Sequence, residues 1–274
     1  MIPIAERNMR PTFRRNVFRD VPASFVRFLP LVILFLAVFF AASAALHHPR
    51  PALAKPEPGG EAPASPPPLI LRPPTDFVEI KEKNGTLFAE NARQLGERAR
   101  LLRLFLPENQ AHFYEEGKHY ALTRQLAVYG IAKANDAPFN KDDIALLGRI
   151  LEEGFLSFDK APSAALRDSL ALEEVLLQAG RDGRNLLLDT RSTENLRLFQ
   201  YQLAYPLSPG HAGSPADDRM LTSLTTLILL VRGHIIFICA SSINTQDPLY
   251  DDAVWTRDVV EKYMETLLAD NKKN

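Results

Sequence analysis

The chain has 274 residues, 46% hydrophobic and 24% charged, with a formal net charge of −1. No block of Lys and Arg occurs outside the first 27 residues, so the distal part lacks the electrostatic footprint of a nucleic-acid binder. The lone cysteine, Cys239, excludes an intramolecular disulfide and leaves packing to hold the fold.

The leader carries Arg7, Arg10, Arg14, Arg15, Arg19 and Arg27 against only Glu6 and Asp20. Phe28 to Leu46 (FLPLVILFLAVFFAASAAL) follows without a charge, close to the roughly 20 apolar residues that a helix needs to cross a bilayer core. The positive-inside bias puts the N-terminus in the cytoplasm and everything after His47 on the far side. The expected partner of this run is therefore the lipid bilayer, crossed once by residues 28–46. The expected setting is a bacterial inner membrane with the C-terminal domain in the periplasm. Ala42-Ser43-Ala44 and Ala52-Leu53-Ala54 also fit the small-x-small pattern for cleavage, which keeps a signal peptide and an exported soluble product open. The long leader and full apolar run favour the uncleaved anchor. A lipoprotein is excluded, because Cys239 is far from that run.

Residues 47–76 read as a tether. Pro49, Pro51, Pro56, Pro58, Pro63, Pro66, Pro67, Pro68, Pro73 and Pro74 fall within them, a composition that favours an extended spacer over helix or sheet. A ligand for an SH3-like partner is the other reading of such a stretch.

The folded part is expected over residues 77–271. Phe77-Val78-Glu79-Ile80 reads as a first strand. Asn84-Gly85 marks a turn (with Thr86 it is also formally a glycosylation sequon), and Phe88, Ala92, Leu95 and Ala99 recur at helical spacing. Leu101 to Leu106, stopped by Pro107, is a second strand. A third runs from about His119 to Ile131, with Tyr120, Leu122, Leu126 and Val128 alternating. Asn140 caps a helix whose first turn holds Asp142 and Asp143 and whose buried stripe is Ile144, Leu147, Leu151 and Phe155. Ser163 to Ala179, closed by Gly180, reads as another amphipathic helix.

The last third reads as an antiparallel meander. Asn185 to Asp189 is one strand, and Phe199, Tyr201, Leu203 and Tyr205 share one face of the next. After a Gly/Pro-rich loop (Ser208 to Asp218), Leu224–Val231 and His234–Ile243 are joined by Arg232-Gly233 alone, a tight hairpin signal. Their apolar character on both faces predicts a sheet covered on both sides. A membrane span from Leu221 to Ile243 is disfavoured by Arg232 at its centre, which costs about 2.5–3.5 kcal/mol even on a lenient scale. Asp247-Pro248 then opens a final helix, with Asp251 and Asp252 in its first turn and Trp255, Val259, Tyr263 (or Met264) and Leu267 on one side. The fold class is α+β, a mainly antiparallel sheet with helices on both faces, preceded by a single transmembrane helix.

No catalytic constellation stands out. His47, His48, His112, His119, His211 and His234 lack the i, i+4 spacing of a helical zinc pair. Asp247, Asp251 and Asp252 lack the EF-hand order, and helix capping explains them. Gly-x-Ser-x-Gly, the Walker A loop and G-x-G-x-x-G are all missing. Neither a cofactor nor a metal is expected. Cys239, inside Ile235-Ile236-Phe237-Ile238-Cys239-Ala240, reads as a buried, inert thiol. The candidate binding surface is His119 and His211 together with the charged turn Arg181-Asp182-Gly183-Arg184, in which Arg181 and Arg184 suit an anion.

The distal region resembles Mog1/PsbP-like α/β/α sandwich domains. The residues that carry this are Pro74-Thr75-Asp76-Phe77-Val78, the strand Leu101-Leu102-Arg103-Leu104-Phe105, the hairpin Val231-Arg232-Gly233-His234, and the closing helix from Asp252 and Trp255 to Asn271. The resemblance covers about residues 74–271 and implies an accessory, partner-binding role; the stretch Ser163–Ala179 departs from the pattern. The expected function is thus a membrane-anchored extracytoplasmic binding or accessory module with a protein partner and no nucleic acid. Alternatives are an extracytoplasmic hydrolase using His119 or His211, and a structural subunit of an envelope complex.

Overall fold

A computed structural model describes residues 66–80, 99–115, 122–131, 138–206, 219–244 and 248–272. The leader, the apolar run 28–46, the Asn84-Gly85 turn, the helical spacing of Phe88, Ala92 and Leu95, His119 and the loop Ser208–Asp218 lie outside the described residues. Among those described, no helix is long and apolar enough to cross a membrane.

Eight strands form one open sheet. They are β1 (Phe77–Glu79), β2 (Ala99–Pro107), β3 (Arg124–Ile131), β4 (Asp159–Lys160), β5 (Leu186–Thr193), β6 (Leu196–Pro206), β7 (Arg219–Val231) and β8 (His234–Ile243). The order across the sheet is β1-β2-β3-β8-β7-β6-β5-β4. Every pairing is antiparallel except the short β4–β5 contact. The helices are α1 (Glu108–Glu115), α2 (Lys141–Gly154), α3 (Ser169–Asp182) and α4 (Leu249–Asp270).

Side chains alternate across a strand, so each strand feeds two cores. On one face Ala127, Tyr129, Phe237 and Cys239 join Phe199 and Tyr201 under Ile144, Leu147 and Leu151 of α2, with Phe155 beyond its end. The predicted stripe of α2 is therefore its buried stripe. On the other face Leu126, Val128, Ile236 and Ile238 meet Val260, Tyr263 and Leu267 of α4. Helix α3 lies beside α4, where Leu172, Leu176 and Ala179 pack with Leu186, Leu188, Leu249 and Ala253.

Local chemistry explains most boundaries. Asn140 accepts from the amides of Asp142 and Asp143 while Asp143 returns a bond to the Asn140 amide, a complete capping box. At the β7–β8 hairpin Arg232 (φ 50°) and Gly233 (φ 79°) both take positive φ, as a type I′ turn requires. Strands β7 and β8 are buried on both faces as expected, yet they also bury Thr222, Ser223, Thr225, Thr226, Ser241 and Ser242.

Several expectations are corrected. Ala99 does not close a helix but begins β2. Glu108–Glu115 forms a helix that the sequence reading did not place. The helix expected over Ser163–Ala179 begins six residues later, at Ser169, because the Asp168 carboxylate accepts from the Leu170 and Ala171 amides. Its glycine stop is Gly183 (φ 69°), three residues after Gly180. At Gly180 a Cβ would come within 2.7 Å of Leu221 Cδ1, so that glycine serves close packing on β7. Finally, Pro248 occupies the N-cap of α4 and makes no side-chain cap bond. The cap comes from α3, whose Glu173 carboxylate accepts from the amides of Leu249 (3.2 Å) and Tyr250 (2.7 Å).

Residues 66–76, the end of the proline-rich tether, lie against the domain. His234 Nε2 donates to the Pro67 carbonyl at 2.8 Å. Asn271 brackets Ile70 on both sides, accepting from its amide at 3.0 Å and donating to its carbonyl at 2.9 Å. Leu69 and Leu71 pack on the α4-side core.

Candidate functional site

Where this strap turns into β1, it forms one wall of a groove of about 580 Å³. Asp76 takes a left-handed conformation (φ 64°), which Asp tolerates better than most residues. Its carbonyl accepts from the Glu108 amide at 3.0 Å, and the Pro74 carbonyl accepts from the Phe77 amide. The first bond ties the strap to the start of α1, and the second closes a local turn into β1. The opposite wall is the exposed side of α4 from Trp255 to Thr266.

The floor is aromatic. Phe77 and Trp255 stack with centroids 6.3 Å apart and planes 25° apart. The Arg124 guanidinium sits 5.1 Å from the centre of the Trp255 ring, a cation–π arrangement that holds the indole. Arg124 is itself held by Asp252, with Nη2 3.1 Å from Oδ1, and the Asp252 side chain is only 4% exposed. Ser242 donates to the same carboxylate, and Asn244 donates to its other oxygen at 3.1 Å. Asp252 is thus a buried anchor between α4 and the ends of β3 and β8, which corrects its reading as a first-turn capping residue. Gln110 of α1 completes the frame by accepting from the amides of Thr123 and Arg124.

The strand register shows what lies behind this anchor. Arg124 pairs with Ser242, Ser242 with Ser223, and Ser223 with Gln202. A polar row therefore crosses four strands on the face covered by α3 and α4. Gln202 Nε2 donates to the Leu176 carbonyl, while Gln202 Oε1 and Ser223 Oγ are buried with no hydrogen-bond partner.

The rim of the groove carries Asp76, Glu108, Asp258 and Lys262. All four are exposed, and none has an ion-pair or hydrogen-bond partner for its side-chain charge among the described residues. Elsewhere charge is commonly neutralised locally, as in Arg191 with Glu261 (2.8 Å).

Of the predicted surface residues, Arg181 and Arg184 lie apart from this groove. Arg184, just before β5 at the opposite end of the sheet, pairs with Asp159 (2.6 Å) and Asp182 (2.7 Å). Those two hydrogen-bonded carboxylates raise its pKa above the ordinary arginine value. Arg181 is exposed in the last turn of α3. His119 and His211 lie outside the described residues. Arg124 is not singled out by the sequence, which places Trp255 and Asp252 only as helix residues; the one available signal of a site was the single tryptophan of the chain.

No group of three or more His, Cys, Asp or Glu among the described residues is placed to hold a metal ion. Cys239 is buried, and desolvation pushes its thiol up to about 12, with a bond from Thr226 opposing the shift. Comparison with protein-family models, with curated proteins and with solved structures yields no match.

Proposed function

We propose that this chain is a membrane-anchored, extracytoplasmic binding module of the α/β/α-sandwich kind, and that its ligand site is the groove beside Trp255. The observation that carries the reading is the division of labour among charged residues. Arg124 and Asp252 satisfy each other below the floor, whereas the side-chain charges of Asp76, Glu108, Asp258 and Lys262 stand exposed around the rim with no ion-pair or hydrogen-bond partner among the described residues. Concave sites with an apolar floor and a few convergent polar groups are the usual form of ligand sites. The accessory role implied by the Mog1/PsbP-like resemblance agrees with this. The anchor rests on the apolar run 28–46 and its arginine-rich flank.

A photo-cross-linking residue placed at Asp258, with one at Arg181 as control, tests the reading in cells. Discrete adducts from position 258 alone support it; equal yields from both positions, or none from 258, count against it. A reporter fused after Asn274 tests the sidedness, and activity confined to the cytosol would refute the extracytoplasmic placement.

A further inference from the structure

We infer that the groove takes an extended, basic segment of a partner protein, one that presents Lys or Arg side chains. The inference rests on the groove being the binding site. Its charge is lopsided: among the described lining residues, Asp76, Glu108 and Asp258 oppose Lys262 alone. The Arg124 guanidinium adds nothing to the balance, because Asp252 lies 3.1 Å away. Three carboxylates against one ammonium around one opening leave a net local negative potential that draws in cations and repels acidic chains.

The floor suits the same ligand. Phe77 and Trp255 offer ring surface to the methylene stem of a long basic side chain, and an aromatic face attracts its charge. Trp255 already accepts one guanidinium, that of Arg124, at 5.1 Å.

Shape favours a chain over a free amine. The α4 wall extends from Trp255 to Thr266, about 16 Å at 1.5 Å per residue. An extended peptide rising about 3.3 Å per residue fills that length with about five residues. A single ammonium compound would leave most of it empty.

The chain carries its own probe, since Trp255 is the only tryptophan. The full chain in detergent is titrated, at low and at high salt, with a short peptide of alternating Lys and Ala. Matched Glu–Ala and Gln–Ala peptides serve as comparisons. The Lys peptide is expected to change the Trp255 emission saturably and to weaken as salt rises. The exposed triple variant Asp76→Asn, Glu108→Gln, Asp258→Asn is expected to bind it about tenfold less tightly, from three surface charge contacts each of modest worth. Arg181→Gln with Arg184→Gln should change nothing. Equal affinity for all three peptides overturns the basic-partner inference while leaving the groove as the site, provided position 258 still gives adducts. Loss of those adducts removes the site as well. Retained affinity in the triple variant, with an unchanged melting temperature, places the peptide elsewhere and overturns the inference.

Discussion

Asp252 has three donors on one carboxylate and almost no solvent. Arg124, Ser242 and Asn244 all point at it, so removing the carboxylate takes a shared acceptor from a part-buried guanidinium and two polar side chains. Breaking a buried pair by deleting one partner costs about 3–5 kcal/mol. Asp252→Ala is expected to lose about 3 kcal/mol in urea unfolding, and adding Arg124→Met should restore part of it; additive losses would show that the two residues are uncoupled. The pair could not be read from sequence. An acidic residue in the first turn of a helix is ordinary on its own, and its partner lies 128 positions earlier. Cys239 was legible, because a cysteine inside an unbroken apolar strand has no route to water. Burial pushes its thiol from 9.0 up to about 12, so the native state holds the proton more tightly than the unfolded chain. The linked stability is complete below pH 9 and is lost as pH rises from there through 12. The native protein should resist thiol alkylation at pH 8 and react once urea unfolds it. Rapid labelling of the folded protein would contradict the burial.

Elements were legible where local chemistry alone decides them. The Asn140–Asp143 capping box and the Arg232-Gly233 hairpin need only neighbouring residues, and both appear where their signals stand. Two boundaries failed for the opposite reason. Gly180 and Gly183 are equally good helix stops on paper. In the fold Gly183 takes the left-handed stop, while Gly180 stays helical and presses against Leu221, a contact made by the tertiary fold. Helix α4 has a proline at its N-cap and borrows its cap from Glu173, 76 positions earlier. Glu173→Ala should therefore destabilise α4 and the α3–α4 contact together, by about 1 kcal/mol, the usual worth of an N-cap. Glu173→Gln should recover part of that, since an amide oxygen still accepts. A thermal melt of the three proteins orders them, and an unshifted Glu173→Ala midpoint would show that solvent satisfies those amides equally well.

At the scale of the whole molecule, the route from tether to groove is continuous. Residues 66–76 cross the β7–β8 hairpin at His234, pass the end of α4 at Asn271, and become the groove wall at Asp76. Proline content correctly marks this stretch as lacking helix and sheet, yet composition cannot show that an extended segment lies against a domain. That depends on Asn271, whose side chain meets both polar groups of Ile70 across 201 positions. The strap is thereby pinned at separate points, and loosening one should leave the others in place. In Asn271→Ala the Ile70 amide loses its acceptor, and its hydrogen exchange should quicken at least tenfold, the kinetic equivalent of one net hydrogen bond. The Phe77 amide, bonded to the Pro74 carbonyl, should keep its protection because that turn is closed locally and is braced by the Asp76–Glu108 bond. If both amides open together, the strap is a single cooperative unit, and any pull on the tether would then be felt directly at the mouth of the groove.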